Sequence, residues 1–278
     1  MNEHHLQGLA ILTSSEVQAS IAAVRRIAGY ELTADLREPF LYFHSFITGP
    51  PIPAYISAWR SSPGLEHWYR QHVDGILSDA QRALSAAHYH ANRLKDMERD
   101  IVDALSTIDF ANAIPLGSTV GVGGTDRMDF EYHAFIFAAR RSLDYMTKGI
   151  AAYFRQTFHS FRNLPSTLQR FSNNPVAMSL VAAHAKVAPD VAFLLSDGSN
   201  KSVRDLIAHY RHVDVGALNL THNGLFFAGG GENLNLSPSG NVKFEIGEAI
   251  DARLRDLQSA LTAMIHAFVD AAQTVENT

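Results

Sequence analysis

LSDAQRALSAAHYHANRLKDMERDIVDALSTI, residues 77–108, places Leu77, Ala80, Leu84, Ala87, Ala91, Leu94, Ile101, Leu105 and Ile108 almost on a 3-4 repeat. Met97 supplies the apolar contact where Glu98 interrupts it. That period is the signature of an amphipathic helix. After a glycine-rich connection, Pro115–Gly124, a second helix is expected from Thr125 or Asp126, carrying Met128, Tyr132, Phe135, Ala139, Leu143, Met146, Ile150 and Tyr153. At 1.5 Å per residue each helix would span roughly 45 Å. Two helices of matched length joined by a short connection form an antiparallel hairpin, the start of an up-down bundle. The second helix is also apolar off its main stripe, at Phe130, Phe137, Tyr145, Phe154 and Phe158. Such a helix is buried all round or shared with a partner.

Outward from the hairpin, helices are expected at about 14–28, 175–187, 202–213 and 247–273, the last with Ile250, Leu254, Leu257, Leu261, Ile265 and Phe268 in register. Period 2 takes over between the last two. Ala217–His222 and Leu225–Ala228 flank Asn223-Gly224, a type I′ hairpin dipeptide, and Leu234–Leu236 and Val242–Ile246 flank a second turn. Between Leu32 and Arg70 the chain is aromatic and broken by Pro39, Pro50, Pro51, Pro53 and Pro63, with Phe40–Ile47 read as a short strand. The expected organisation is therefore mainly α. Residues 1–70 hold a helix and an irregular region, and 71–278 form a bundle with a small β-meander insertion at about 217–246.

Composition excludes several function classes. The 278 residues include no cysteine, which removes disulfides, thiolate nucleophiles and iron-sulfur sites. A net charge of −5 and a pI near 6.3 oppose general polyanion binding, though they leave room for a local basic cleft. No apolar run approaches the ~18 residues of a membrane span, and the N-terminus lacks the basic and then apolar regions of a signal peptide. A cytoplasmic protein without membrane contact is the expectation.

Chemistry concentrates at Arg204-Asp205-Leu206-Ile207-Ala208-His209. On a helical wheel Val203, Leu206, Ile207, Tyr210 and Val213 form the core-facing stripe, while Arg204, Asp205, Ala208, Arg211 and His212 fall opposite, with His209 at the edge. A guanidinium holds phosphate oxygens and an imidazole moves protons near neutral pH. Those are the two tasks of a metal-free phosphodiester cleavage in which RNA supplies its own 2′-hydroxyl nucleophile.

An Arg followed by Asp, then a His after four intervening residues, late in a helical bundle, resembles the motif of the HEPN superfamily of small helical domains that act on nucleic acid. The long hairpin and the segment from Glu131 to Asp144 are also similar to larger members of that superfamily. The resemblance covers roughly Leu77 to Gln273. It implies a metal-independent endoribonuclease, with RNA as partner, and a homodimer whose two motifs line a shared cleft. His209 would be the acid and base, Arg204 the phosphate clamp, and Asp205 the group orienting Arg204 or a substrate hydroxyl. Arg211 and His212 would assist binding. Many relatives bind RNA without cutting it, or serve as partners of other enzymes. The contrasting expectation is accordingly a non-catalytic interaction protein whose second long helix and Pro-rich region bury a partner.

No cofactor or metal is expected. Gly117–Gly124 precedes a helix N-terminus but lacks the Gly-Lys-Ser/Thr ending of a P-loop and is read as a flexible connection. Glu66-His67, His88-x-His90 and His209-x2-His212 invite a metal reading, yet the Glu-x-x-His pairs of di-iron bundles and any His-Glu-x-x-His are absent. Ser142 and Asp144 sit in no Gly-x-Ser-x-Gly elbow.

Overall fold

A computed structural model describes residues 15–158, 160–195, 202–205, 207–208, 217–228 and 245–277. Its contacts divide the chain into a unit ending at Asp35 and one that starts at Leu36. In the first, helix α1 (Ser15–Ala28) carries Glu16 in its opening turn and Arg25 and Arg26 in its last. Each charge thus complements the helix dipole.

The second unit begins within α2 (Ala34–Thr48) and continues through α3 (Ala54–Ser61) and α4 (Glu66–Val73). Residues 36–70 therefore build bundle helices, and the strand expected at Phe40–Ile47 is helical. Leu36, Phe40, Phe43 and Ile47 recur at helical spacing and are all buried, with Phe43 and Phe46 packed on Phe268. That burial outweighs the backbone hydrogen bond lost at Pro39 inside the helix.

Helix α4 runs through a π-helical segment, Asp74–Ala80, into α5 (Gln81–Leu105). The first long helix thus starts earlier than its periodicity implied and ends sooner, leaving Ile108 exposed beyond it. After α6 (Phe110–Ala113) and β1 (Thr119–Val122) comes α7 (Asp126–Tyr153), then α8 (Leu164–Leu168), α9 (Pro175–Val187), α10 (Val203–Asp205), β2 (Ala217–Thr221), β3 (Gly224–Ala228) and α11 (Glu245–Glu276). Helices α5 and α7 span about 38 and 42 Å and run antiparallel. Gly75 lies against Gly149, while His90, further along, bonds Glu131. A Cβ on Gly75 would come 2.8 Å from Gly149 Cα, so glycine at both positions lets the backbones touch. Helix α9 packs on α11, and α11 on α5. The architecture is a mainly helical bundle with a small sheet.

The sheet departs from expectation in its third strand. Its order is β1-β2-β3, antiparallel throughout, with Thr119 opposite Thr221 and Val122 opposite Leu218. The glycine-rich connection, read as flexible, thus supplies an edge strand. Thr221 pairs with Gly224, so His222-Asn223 form the two-residue turn, one position before the Asn-Gly dipeptide. Thr221 Oγ1 accepts from the Asn223 N–H, and His222 Nδ1 donates to the Ile114 carbonyl. Ile246, assigned to a strand from its alternation, is helical; Leu234–Leu236 lie outside the described residues.

Two buried polar groups organise the core. His72 sits among Phe43, Tyr55, Trp59 and Phe268. Its Nδ1 donates to the Gly149 carbonyl at 2.7 Å, which leaves Nε2 to accept from the Tyr55 hydroxyl at 3.2 Å. Burial pushes its pKa down to about 4, against a smaller opposing effect of the Gly149 bond. Glu98, which interrupts the apolar repeat, is fully buried and accepts from the N–H groups of Ile246 and Gly247 at 2.9 and 2.8 Å. A carboxylate of α5 thereby caps the N-terminus of α11.

Candidate functional site

The motif segment starts from a buried anchor. Val203 and Ser202 are buried, and Ser202 Oγ accepts from the Asp205 N–H at 3.2 Å, closing the turn that begins α10. Helix α10 packs against α7 and the 3-10 turn Ala192–Leu194. Val203 faces in and Ala208 is exposed, in keeping with the helical wheel, while Ile207 and Ala208 lie in a wider, π-type turn.

Arg204 and Asp205 are brought together. Arg204 Nη1 donates to Asp205 Oδ1 at 2.7 Å, with the side chains 37% and 27% exposed. Arg204 Nε is buried and meets no hydrogen-bond partner among the described residues. The guanidinium is anchored through Nη1 to Asp205 while the side chain stays partly exposed, an arrangement that can present a donor to a phosphate oxygen. His209, Arg211 and His212 lie outside the described residues, as does His209-x2-His212 as a metal pair.

The 3-10 turn that α10 packs on is held in turn by a polar clamp. Arg140, 12% exposed, donates from Nε to Asp144 Oδ2 at 2.9 Å, from Nη1 to the Leu194 carbonyl at 3.2 Å and from Nη2 to Ser160 Oγ at 3.1 Å. Asp144 Oδ1 accepts from the Phe161 N–H at 2.9 Å. Arg140 and Asp144 thus tie α7 to the chain on either side of α9, and their chemistry is structural. Near the same 3-10 turn, Arg253 of α11 lies over the Phe193 ring, 4.4 Å from its centroid.

The histidine pairs separate. His90 bonds Glu131 of α7, whereas His88 feels Lys95 and Asp251, and burial lowers its pKa. Residues two apart on a helix do not face each other. Glu66 instead pairs with Arg70 at 2.6 Å, and His67 packs on Trp68. Among the described residues no group of three or more His, Asp or Glu side chains is placed to hold a metal, and no helix is long and apolar enough to cross a membrane.

Of the five off-stripe aromatics on or just beyond the second long helix, only Phe130 is exposed, at 64%. Most of that surface is used inside the bundle. One feature had no motif to announce it: Arg82 and Tyr145 share a groove with Arg141, and their proximity depends on the register of α5 against α7. Comparison with protein-family models, characterised proteins and solved structures finds no match for this chain.

Proposed function

We propose that this protein acts on RNA through a phosphate-contacting surface centred on Arg204, in the manner of HEPN domains, and does so as a homodimer. The observation that carries the reading is the state of Arg204: partly exposed and oriented by Asp205. A guanidinium held on one edge loses less freedom when it grips an oxyanion than a free side chain does. Asp205 takes the orienting role that the motif assigns it. His209 would be the proton carrier that turns binding into cleavage. An overall charge of −5 is compatible with this role if binding is local.

The competing reading is a non-catalytic partner-binding protein, favoured by exposed apolar side chains such as Phe130 on α7 and Leu41 and Ile52 in the Pro-rich region. One experiment separates the two. Wild type, Arg204→Ala and His209→Ala are incubated in EDTA with single-stranded and structured RNA at low and moderate salt, and binding and cleavage are followed together. We expect Arg204→Ala to weaken binding at least about fivefold, the scale of a lost charge-assisted contact, and His209→Ala to remove cleavage while binding persists. RNA binding that is absent at low salt, or indifferent to Arg204, sinks the proposal in favour of the partner-binding reading. Equal cleavage by all three proteins identifies a contaminant.

A further inference from the structure

We infer that the groove between α5 and α7 is a second ligand site that takes a nucleotide unit, a phosphate joined to a ribose and a base. It goes beyond the reading of Arg204 and does not depend on it.

The groove has a volume of about 260 Å³ and is lined by Asp79, Arg82, Ala83, Ala86, Ala138, Arg141 and Tyr145. Its floor is made of alanines. On two helices packed as closely as α5 and α7, small side chains at the seam leave a depression between the larger residues that flank it. Larger residues at Ala83, Ala86 and Ala138 would fill the space. Its walls carry cations from both helices, Arg82 from the first turn of α5 and Arg141 from the middle of α7. Asp79 belongs to the π-helical segment, a geometry frequent at functional sites.

The charges on these walls are not all paired with one another. Asp79 and Arg82 stand on either side of the junction between the π-helical segment and α5. Neither forms an ion pair with any described residue, although both line one groove. Arg141 is held instead by the ring beside it: Nη2 donates to the Tyr145 hydroxyl at 2.8 Å, and Cζ lies 5.5 Å from the ring centroid. The groove therefore presents two guanidiniums, one from each helix, one carboxylate acceptor, an aromatic ring and an apolar floor.

Each component has a counterpart in one class of molecule. The guanidiniums suit a phosphate, for which their forked donors are matched. The carboxylate accepts from ribose hydroxyls or a base amine, and an aromatic ring with a neighbouring arginine offers a surface to a base. A simple anion would not use the acceptor or the ring. The volume lies below the roughly 300–1,000 Å³ of sites for drug-sized ligands, which suits one nucleotide rather than a dinucleotide cofactor. The same unit could arrive free or within a single-stranded RNA.

The test uses the full chain and AMP as probe, followed by calorimetry and by chemical-shift changes. Inorganic phosphate, ribose 5-phosphate and a mixed-sequence single-stranded RNA are measured alongside. AMP is expected to bind saturably and more tightly than either smaller phosphate. Arg82→Ala, which removes charge, and Ala86→Leu, which fills the floor, should each weaken it by at least about tenfold while thermal melting stays that of wild type. Arg204→Ala should leave AMP affinity unchanged, so failure here and failure at Arg204 are told apart. Displacement of AMP by the RNA assigns the site to a nucleotide within a strand, and lack of displacement to a free one; both uphold a nucleotide site. Absence of binding by both AMP and RNA, equal affinity for inorganic phosphate, indifference to Arg82→Ala and Ala86→Leu, or loss of AMP in Arg204→Ala would each overturn it.

Discussion

Arg140 and Arg141 are neighbours in sequence and opposites in surroundings. The first is 12% exposed and has its guanidinium divided among Asp144, Ser160 and the Leu194 carbonyl. The second is exposed, rests on Tyr145 and lines an open groove. One residue step turns a helix by about 100°, enough to move a cation from the inside of a bundle to its surface. Residue type alone therefore says little about role here; the helix face decides it. Arg204 lies between the two extremes, half-exposed and anchored by one ion pair.

The contrast is broken most forcefully by Arg140→Ala. It removes the partner of Asp144, which is 28% exposed, and frees the Leu194 carbonyl. We expect a loss of about 3 kcal/mol in urea unfolding, the scale for deleting one member of a largely buried pair. A loss below about 1 kcal/mol would mean that the clamp is incidental.

Acid probes the packed side without mutation. His72 has a folded pKa of about 4 against 6.5 when unfolded. The unfolded chain therefore takes up a proton below pH 6.5 that the folded chain refuses until about pH 4. The contribution is fully present above pH 6.5 and is lost as pH falls through that window, up to about 3 kcal/mol in all. Burial shifts His184 and His88 in the same direction. Urea midpoints measured between pH 7 and 5 should fall in wild type and fall less in His72→Gln; parallel slopes would exclude His72 as the source.

The smallest effect belongs to the open side. Arg141→Ala should change stability by no more than about 0.5 kcal/mol, as expected of an exposed charge. A penalty near that of Arg140→Ala would erase the distinction between the two faces.

Much of this fold was legible in the sequence, for local reasons. Helix α9 spans Pro175–Val187 as read, because Asn174 caps it, its side chain accepting from the N–H groups of Val176 and Ala177, and Pro175 fits the first turn. Helices α7 and α11 follow uninterrupted apolar periods. What failed was non-local. The helix at Phe40–Ile47 reads as a strand because its aromatic run hides the spacing of Leu36, Phe40 and Phe43, and Pro39 looks like a breaker. Strand β1 was missed because its partner lies about a hundred residues away at Leu218–Thr221. The candidate sites divide the same way. Arg204 and Asp205 are adjacent and visible as a motif, whereas Arg82 and Arg141 share a groove only through the packing of two helices.

Glu98 carries a consequence for how this chain tolerates change. Its carboxylate receives the first amides of α11, and a Cβ at Gly247 would come 2.9 Å from Oε2, so a side chain there would require the carboxylate to shift. The start of the last helix is thus docked to the hairpin itself, as a ship is moored to a quay, and its height in the bundle is set independently of the chain that leads up to it. Insertions or deletions between β3 and α11 can accumulate without sliding the C-terminal helix along its neighbours.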